Sequence, residues 1–252
     1  QFDGYELIIG EEVDEIKPLF ISRKGINPFV DFFTFLDFVK TLALSKPDLV
    51  MFFTIKPVIY GSIAARLVNV KSIAMITGLG TAFIANNWIT KVAKFLYRFA
   101  LSSVSLVFFQ NIDDKDLFVS QKLVDAKVCR LTPGSGVDLD KFSPVDLPLA
   151  NKITFLLIGR MLWDKGVGEF VDAARVVKTK TTNVEFQLLG PLGVENRTAI
   201  SKIQMENWVK EGVVQYLGET DCVGAFIEKA SCVVLPSYRE GTSRVLLEAA
   251  AM

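Results

Sequence analysis

Two cations and two carboxylates in the second half of the chain stand at spacings that could gather them around one anion. Arg160 and Lys165 stand five residues apart in Gly159-Arg160-Met161-Leu162-Trp163-Asp164-Lys165-Gly166, after an apolar run and before a helical one. A planar guanidinium fork and a point-charge ammonium on one strand-to-helix loop can converge on a diphosphate. The same spacing also suits a solvated loop with two ordinary cations. The Gly-x4-Gly-Lys-Ser/Thr pattern of a Walker loop is absent. The second segment is Pro236-Ser237-Tyr238-Arg239-Glu240-Gly241-Thr242-Ser243-Arg244-Val245-Leu246-Leu247-Glu248. An apolar strand ends at Pro236, a loop carries Glu240, and Gly241-Thr242-Ser243 opens a helix whose free amides can hold an anion. Glu248 follows about two turns in, on the side that returns toward the loop. The alternative is Ser243 as an N-cap, with Arg244 and Glu248 as a surface i,i+4 pair. A third segment, Thr77-Gly78-Leu79-Gly80-Thr81, follows the apolar SIAMI. Its glycines either admit a ligand close to the backbone or make an ordinary strand-to-helix turn.

Composition narrows the chemistry. The 252 residues contain no histidine, which excludes Ser-His-Asp, Cys-His and HExxH catalysis and any histidine base. Lys+Arg and Asp+Glu are both 28, so no basic excess points to nucleic acid. Half the residues are hydrophobic and 22% are charged, which supports a packed core in one large or two small domains. Cys129, Cys222 and Cys232 are odd in number and form no CxxC. That argues against zinc and a disulfide framework and for a reducing cytoplasm. Asn196-Arg197-Thr198 is read as a chance glycosylation sequon. Nothing at the start resembles a signal peptide, and no run of ~18 apolar residues could cross a membrane. The first residue is Gln1 and the last ones read as an unfinished helix, so a piece cut at both ends is expected.

These side chains need strands and helices to position them. Strands are expected over 5–9, 19–22, 49–54, 72–77, 106–110, 127–131, 153–159, 184–190, 213–218 and 232–236. Most are continuously apolar, as in parallel sheets covered on both faces. Helices are expected over 29–44, 57–67, 88–102, 113–121, 167–178, 198–211, 222–229 and 243–251, with Pro57 at a helix start. Strand–helix alternation predicts parallel α/β. It breaks once, at the Pro- and Gly-rich stretch 132–152, which reads as a linker between two Rossmann-like domains, 1–145 and 146–252. Such a pair forms a cleft between the carboxyl ends of two sheets. Phe29, Phe32, Phe33 and Leu36 fall at helical spacing and are expected in the core. Lys91, Lys94 and Arg98 share one helical face beside Trp88, Phe95 and Tyr97. That helix could rest on an anionic membrane surface or simply pack on the sheet with a solvated basic edge.

GRxxxxKG, the stretch Gly136-Val137-Asp138-Leu139-Asp140-Lys141-Phe142-Ser143-Pro144 and PSYREGTSRVLLEAAAM together resemble the family 4 retaining glycosyltransferases. The likeness is greatest to members that build capsule, O-antigen and other lipid-linked bacterial glycans. Phe53-Thr54-Ile55-Lys56-Pro57, Tyr60-Gly61-Ser62 and the Thr-Gly-Leu-Gly loop are similar to that subgroup too. The resemblance implies a GT-B fold with an acceptor-side domain at 1–145 and a nucleotide-sugar domain at 146–252. It also implies that the first strand with its glycine loop, and the end of the second domain, lie outside this chain. Carried over by position, Gly159, Arg160 and Lys165 hold the donor diphosphate and Glu240 faces the donor sugar. The amides of Gly241 and Thr242 bind phosphate or sugar, Glu248 takes the ribose hydroxyls, and Gly218, Glu219 and Thr220 line the base. Thr77, Gly78 and Gly80 would border the donor sugar and acceptor. Two residues depart from the pattern: Ser243 replaces a usual proline, and Thr77 stands where many relatives have a histidine. Asp138-Leu139-Asp140 matches the DxD of metal-dependent transferases but sits in the linker, and no metal or other cofactor is expected.

The activity implied is sugar transfer from a nucleotide sugar, UDP-linked by family habit, to a hydroxyl of a polyprenyl-diphosphate-linked saccharide, with retention. The enzyme would be cytoplasmic and peripheral on the inner membrane face. A GT-B nucleotide-sugar epimerase and a non-catalytic nucleotide-sugar-binding remnant are the alternatives.

Overall fold

The computed structural model describes residues 13–21, 27–79, 88–146 and 152–252. They fall into two compact units. Residues 13–21, 27–77 and 88–131 belong to the first, and Gly78, Leu79 and the described residues from 132 to 252 to the second.

The first unit opens with α1 (Pro28–Ser45), whose start is dictated by Asn27: its side chain accepts from the Phe29 amide, and Pro28 takes the first-turn position that needs no N–H. Then come β1 (Leu49–Phe53), a π-helical turn (Pro57–Gly61) running into α2 (Ser62–Leu67), β2 (Lys71–Ile76), α3 (Trp88–Leu101) and β3 (Leu106–Phe109). They are followed by α4 (Ile112–Ser120), capped by Asn111, and β4 (Cys129–Leu131). The four strands run parallel in the order β1-β2-β3-β4. Ala74, Ile76, Val107 and Phe109 are buried, and Phe118 lies edge-on to both Tyr97 (5.1 Å) and Phe109 (5.3 Å).

Three expectations fail in this unit. The aromatic stripe of α1 is not core: Phe29, Phe32 and Phe33 are 80%, 56% and 60% exposed, and Leu36 is exposed as well. The buried face carries Asp31, Thr34, Phe38 and Leu42 instead. Both sets have helical spacing; an ion pair from Asp31 to Lys56 turns the second set inward. Tyr97 belongs to the core at 1% exposure, so it is no interfacial aromatic of α3. The exposed face of α3 instead carries Trp88, Val92, Phe95 and Phe99 between Lys91 and Arg98, and Arg66 stacks on Phe99 at 5.6 Å. Finally, β1 is not covered on both faces: Phe52 is buried while Leu49, Met51 and Phe53, on the other face, are exposed.

The second unit contains β5 (Ile153–Ile158), α5 (Val167–Lys178), β6 (Val184–Leu189), α6 (Lys202–Lys210) and β7 (Gln215–Tyr216). It ends with α7 (Gly224–Ile227), β8 (Cys232–Val233) and α8 (Arg244–Ala251). Its sheet is parallel with the order β7-β6-β5-β8. Phe155 stacks on Phe186 (4.9 Å), and α5 brings Phe170 against the same ring (5.4 Å). Arg175 grips both oxygens of Glu211 at 2.7 Å, tying α5 to the end of α6. That fork holds the Glu211 carboxyl below its ordinary range. The stretch after Thr132 packs here: Phe142 is buried with Leu156, Ile158, Leu189 and Ile227, and the Val145 amide donates to the Met252 carbonyl (3.0 Å).

Most expected elements form, several of them shorter. The strands at 213–218, 232–236 and 127–131 contract to two, two and three residues. In the last case a 3-10 turn, Ala126–Val128, takes the first part. The helix at 198–211 begins only at Lys202, because Ser201 is the cap and Ala199 bridges to Leu162. The helix at 222–229 keeps only four residues. Residues 19–21 form no strand, while 5–9 and Ser22 lie outside the described residues.

Since Phe118 joins the sheet to α3, Phe118→Ala is expected to cost about 3–5 kcal/mol. Denaturant unfolding checks this, and a loss below ~1 kcal/mol would contradict the aromatic core.

Candidate active site

The carboxyl ends of β5, β6 and β7 are stitched together by glycine backbone. The Gly159 amide donates to Leu189 O (2.9 Å) and the Gly190 amide to Gly218 O (2.7 Å). Gly190 has φ +137°, and a Cβ there would fall 2.1 Å from Gly159 O, so no other residue fits. Local pattern marks Gly190 only as a strand end, because its approach to Gly159 joins two strands.

The loop after β5 passes through Arg160 into a 3-10 turn, Trp163–Lys165, and then Gly166. Gly166 is left-handed at φ +72°, and a Cβ would stand 2.2 Å from Pro236 O. This close approach brings the loop against the chain leaving β8. The Tyr238 amide donates to Asp164 O (3.0 Å), and the Tyr238 hydroxyl donates to the Glu169 carboxylate at the start of α5. That hydrogen bond, with the charge behind it, keeps the phenol protonated above its usual range. Asp164 Oδ2 lies 3.0 Å from Thr198 Oγ1, which fixes the turn from its other side. No local pattern marks Asp164, Glu169, Thr198 and Tyr238 as partners, because their contacts span 34 and 69 residues.

Lys165 and Glu240 meet in a half-buried ion pair, with 22% and 28% of their side chains exposed. Arg160, on the same loop, is exposed, and among the described residues its guanidinium has no partner. Ser243 caps α8, its Oγ accepting from the Leu246 amide. Glu248 is buried and takes Arg244 at 3.4 Å, so the capping and i,i+4 pairing read from sequence both form. Gly241 and Thr242 precede that cap. A Cβ on Gly134 would press on the Thr242 side chain, and one on Gly78 would lie 3.4 Å from the Gly241 amide nitrogen. Gly78 and Gly241, from two separate motifs, thus come together; Thr77 is partly buried, and Gly80 lies outside the described residues. Past β7, Glu219 is exposed and Thr220 Oγ1 accepts from the Cys222 amide (3.0 Å). Asp138 Oδ1 accepts from the amides of Asp140 and Lys141 (3.0 and 3.1 Å), so this carboxylate shapes a turn. Among the described residues, no group of three or more metal-ligating side chains exists.

Residues 152–252 match the family profile described as glycosyl transferases group 1, and residues 12–111 match that of glycosyl transferase 4-like domains. Both halves of the chain thus match glycosyltransferase domain families. It is 28% identical to the N,N'-diacetylbacillosaminyl-diphospho-undecaprenol alpha-1,3-N-acetylgalactosaminyltransferase of Campylobacter jejuni, over 91% of this chain and 63% of that protein. It is 24% identical to the capsular polysaccharide biosynthesis glycosyltransferase CapM of Staphylococcus aureus, over 99% of this chain and 68% of that one. The crystal structure of Anabaena HepE in complex with UDP-glucose superposes with a TM-score of 0.70 at 18% identity, over 88% of this chain and 62% of HepE. The fold is GT-B, as the resemblance in the sequence implied. The chain spans under two thirds of the length of the Campylobacter relative.

Gly166 sets where Lys165 meets Glu240. Gly166→Ala forces both an unfavourable φ and a backbone clash, and should cost more than ~1 kcal/mol. Thermal unfolding measures the loss, and a wild-type melting temperature would contradict this packing.

Proposed function

We propose that the protein to which this chain belongs transfers a sugar from a nucleoside-diphosphate sugar to a hydroxyl of a lipid-linked saccharide, with retention of configuration. The observation that carries the reading is the pairing of Lys165 with Glu240 beyond the carboxyl ends of a parallel sheet, with Arg160, exposed and without a partner among the described residues, on the same loop. An arriving diphosphate would compete with Glu240 for Lys165 and complete the cation pair with Arg160. Gly159 lets the phosphates approach backbone. The amides of Gly241 and Thr242 would support the phosphate or sugar, with Glu240 at the sugar and Glu248 at the ribose hydroxyls. Gly218, Glu219 and Thr220 would line the base, uridine by the habit of relatives. Thr77, Gly78 and Gly80 would flank the donor sugar.

The chemistry suits a chain without histidine. The bond from the anomeric carbon to the leaving phosphate oxygen breaks, and the acceptor oxygen bonds to that carbon on the same face. The acceptor's proton passes to the leaving phosphate, while Arg160 and Lys165 stabilise its growing charge. No separate strong base and no metal or other cofactor is required. The acceptor class rests on the names of the two curated relatives.

An acceptor anchored in a bilayer requires the enzyme to work at its surface, and α3 supports a peripheral position on the cytoplasmic face. Trp88, Val92, Phe95 and Phe99 can enter the interface while Lys91, Lys94 and Arg98 meet anionic headgroups. Among the described residues, no helix is long and apolar enough to cross a membrane.

In the full-length protein, Arg160→Ala and Lys165→Ala should each weaken UDP or GDP binding by about 1.5–3 kcal/mol. Glu240→Gln should abolish transfer with the fold intact, Glu248→Gln should mainly weaken nucleotide binding, and transfer should survive EDTA. Unchanged nucleotide affinity in both cation mutants would overturn the diphosphate assignment, as identical defects in the two glutamate mutants would overturn their separate roles. At ~1 kcal/mol per cation, a Lys91/Lys94/Arg98 triple glutamine variant should lose roughly two orders of magnitude of binding to anionic liposomes. High salt should shrink the difference, since screening acts within ~10 Å at 0.1 M. Equal co-sedimentation of variant and wild type at low salt would remove α3 from the membrane reading.

A further inference from the structure

α1, α2 and α3 pack side by side as one layer over one face of the first unit's sheet. Phe38 of α1 meets the Phe52 ring edge-on at 5.7 Å, and a Cβ on Gly61, at the end of the π-helical turn that runs into α2, would fall 2.4 Å from the same ring. Both helices therefore lie on the Phe52 side of β1. Successive right-handed crossovers along β1-β2-β3 put α2 and α3 on one face as well. Their contact agrees with this: Arg66 of α2 stacks on Phe99 of α3 at 5.6 Å and donates to Ser102 Oγ at 3.3 Å.

The outer side of this layer is strongly apolar. On α1, Phe29, Phe32, Phe33, Leu36 and Leu44 are exposed at helical spacing on the side opposite Asp31, Phe38 and Leu42, and exposed Lys40 stands in line with them. α2 adds exposed Leu67, and α3 adds Trp88, Val92, Phe95 and Phe99. A continuous apolar face of this kind marks an interaction surface. Its charge identifies the partner. The three helices carry five cations, Lys40, Arg66, Lys91, Lys94 and Arg98, against two acids. Both acids are engaged within the protein: Asp31 is buried against Lys56, and Asp37 accepts from the Phe20 amide at 2.8 Å. A chain of net charge zero thus presents one face rich in aromatics and cations. A second copy of that face would set cations against cations, whereas an anionic bilayer offers hydrocarbon and negative charge together.

We propose that α1 is the apolar anchor of this face: Phe29, Phe32 and Phe33 enter the acyl boundary of an anionic bilayer, while Arg66 and the cations of α3 hold lipid headgroups. This rests on the peripheral membrane position of the proposed function and gives α1 a part that α3 alone does not supply. α3 interleaves its aromatics with cations, so its hold weakens with salt. From Pro28 to Leu36, α1 exposes no charge, so the attachment it makes is apolar and resists salt.

The test is co-sedimentation of the full-length protein with vesicles of phosphatidylglycerol and phosphatidylcholine in equal parts, at low and high salt. Wild type should keep a salt-resistant share of its binding. A Phe29→Ser/Phe32→Ser/Phe33→Ser variant should bind about a hundredfold more weakly at either salt, with its melting temperature unchanged because all three rings are exposed. The Lys91/Lys94/Arg98 triple glutamine variant should instead keep the salt-resistant share. Should the serine variant unfold, Phe32→Trp decides: its emission beyond that of wild type should be quenched by phosphatidylcholine brominated on the acyl chains. Wild-type binding by the serine variant at both salts overturns the proposal, as does added emission that the brominated lipid leaves untouched. A serine variant that melts lower yet binds vesicles as wild type does also overturns it, and shows the stripe covered by another part of the protein or by a second copy. If the glutamine variant binds as wild type does while the serine variant does not, the α3 reading fails and the α1 anchor stands. A wild type that ignores the vesicles overturns both.

Discussion

The ion pair between Lys165 and Glu240 joins two loops that leave neighbouring strands of one sheet, and the geometry of the second unit converges on it. Half-buried charges of opposite sign lose hydration on pairing, and they return a net gain only where the surroundings hold them in register. Here the surroundings do so in three places. Gly166 lets one backbone approach Pro236, Asp164 accepts from the Tyr238 amide, and the Tyr238 hydroxyl closes onto Glu169. The pair is therefore held by rigid backbone as well as by attraction.

The first unit carries a second carboxylate–lysine pair with a different character. Asp31 is buried under α1 and divided between Lys56 and Tyr60, so its removal would strand a charge in a poorly hydrated place. That pair decides how α1 rolls on the sheet. Asp31 faces inward with Thr34, Phe38 and Leu42, and the helix then must present Phe29, Phe32 and Phe33 outward. An exposed apolar face follows from satisfying one carboxylate on the other side of the helix. On α3 the opposite holds: the large aromatic Tyr97 turns inward to Phe118, and the exposed face keeps Trp88, Phe95 and Phe99 among its cations.

The alternation of strands and helices, the parallel sheets and the loops that bear Arg160, Lys165 and Glu240 are legible in the residues alone. Those follow from local causes that a short window contains. They include apolar runs bounded by glycine and proline, Asn27, Asn111, Ser201 and Ser243 as caps, and a helix after each strand. What only the tertiary structure decided is which of two equally periodic faces turns inward. It also decided which distant groups meet. Phe29, Phe32 and Phe33 have the same helical spacing as the buried set, and no local rule ranks them below a face containing Asp31; the choice was made by Lys56 and Tyr60, 25 and 29 residues further along. Likewise Tyr238 finds Glu169 and Gly190 finds Gly159 only once the strands are in register. Contacts between residues far apart in the chain depend on the closed fold, and periodicity, which describes one element at a time, does not contain them.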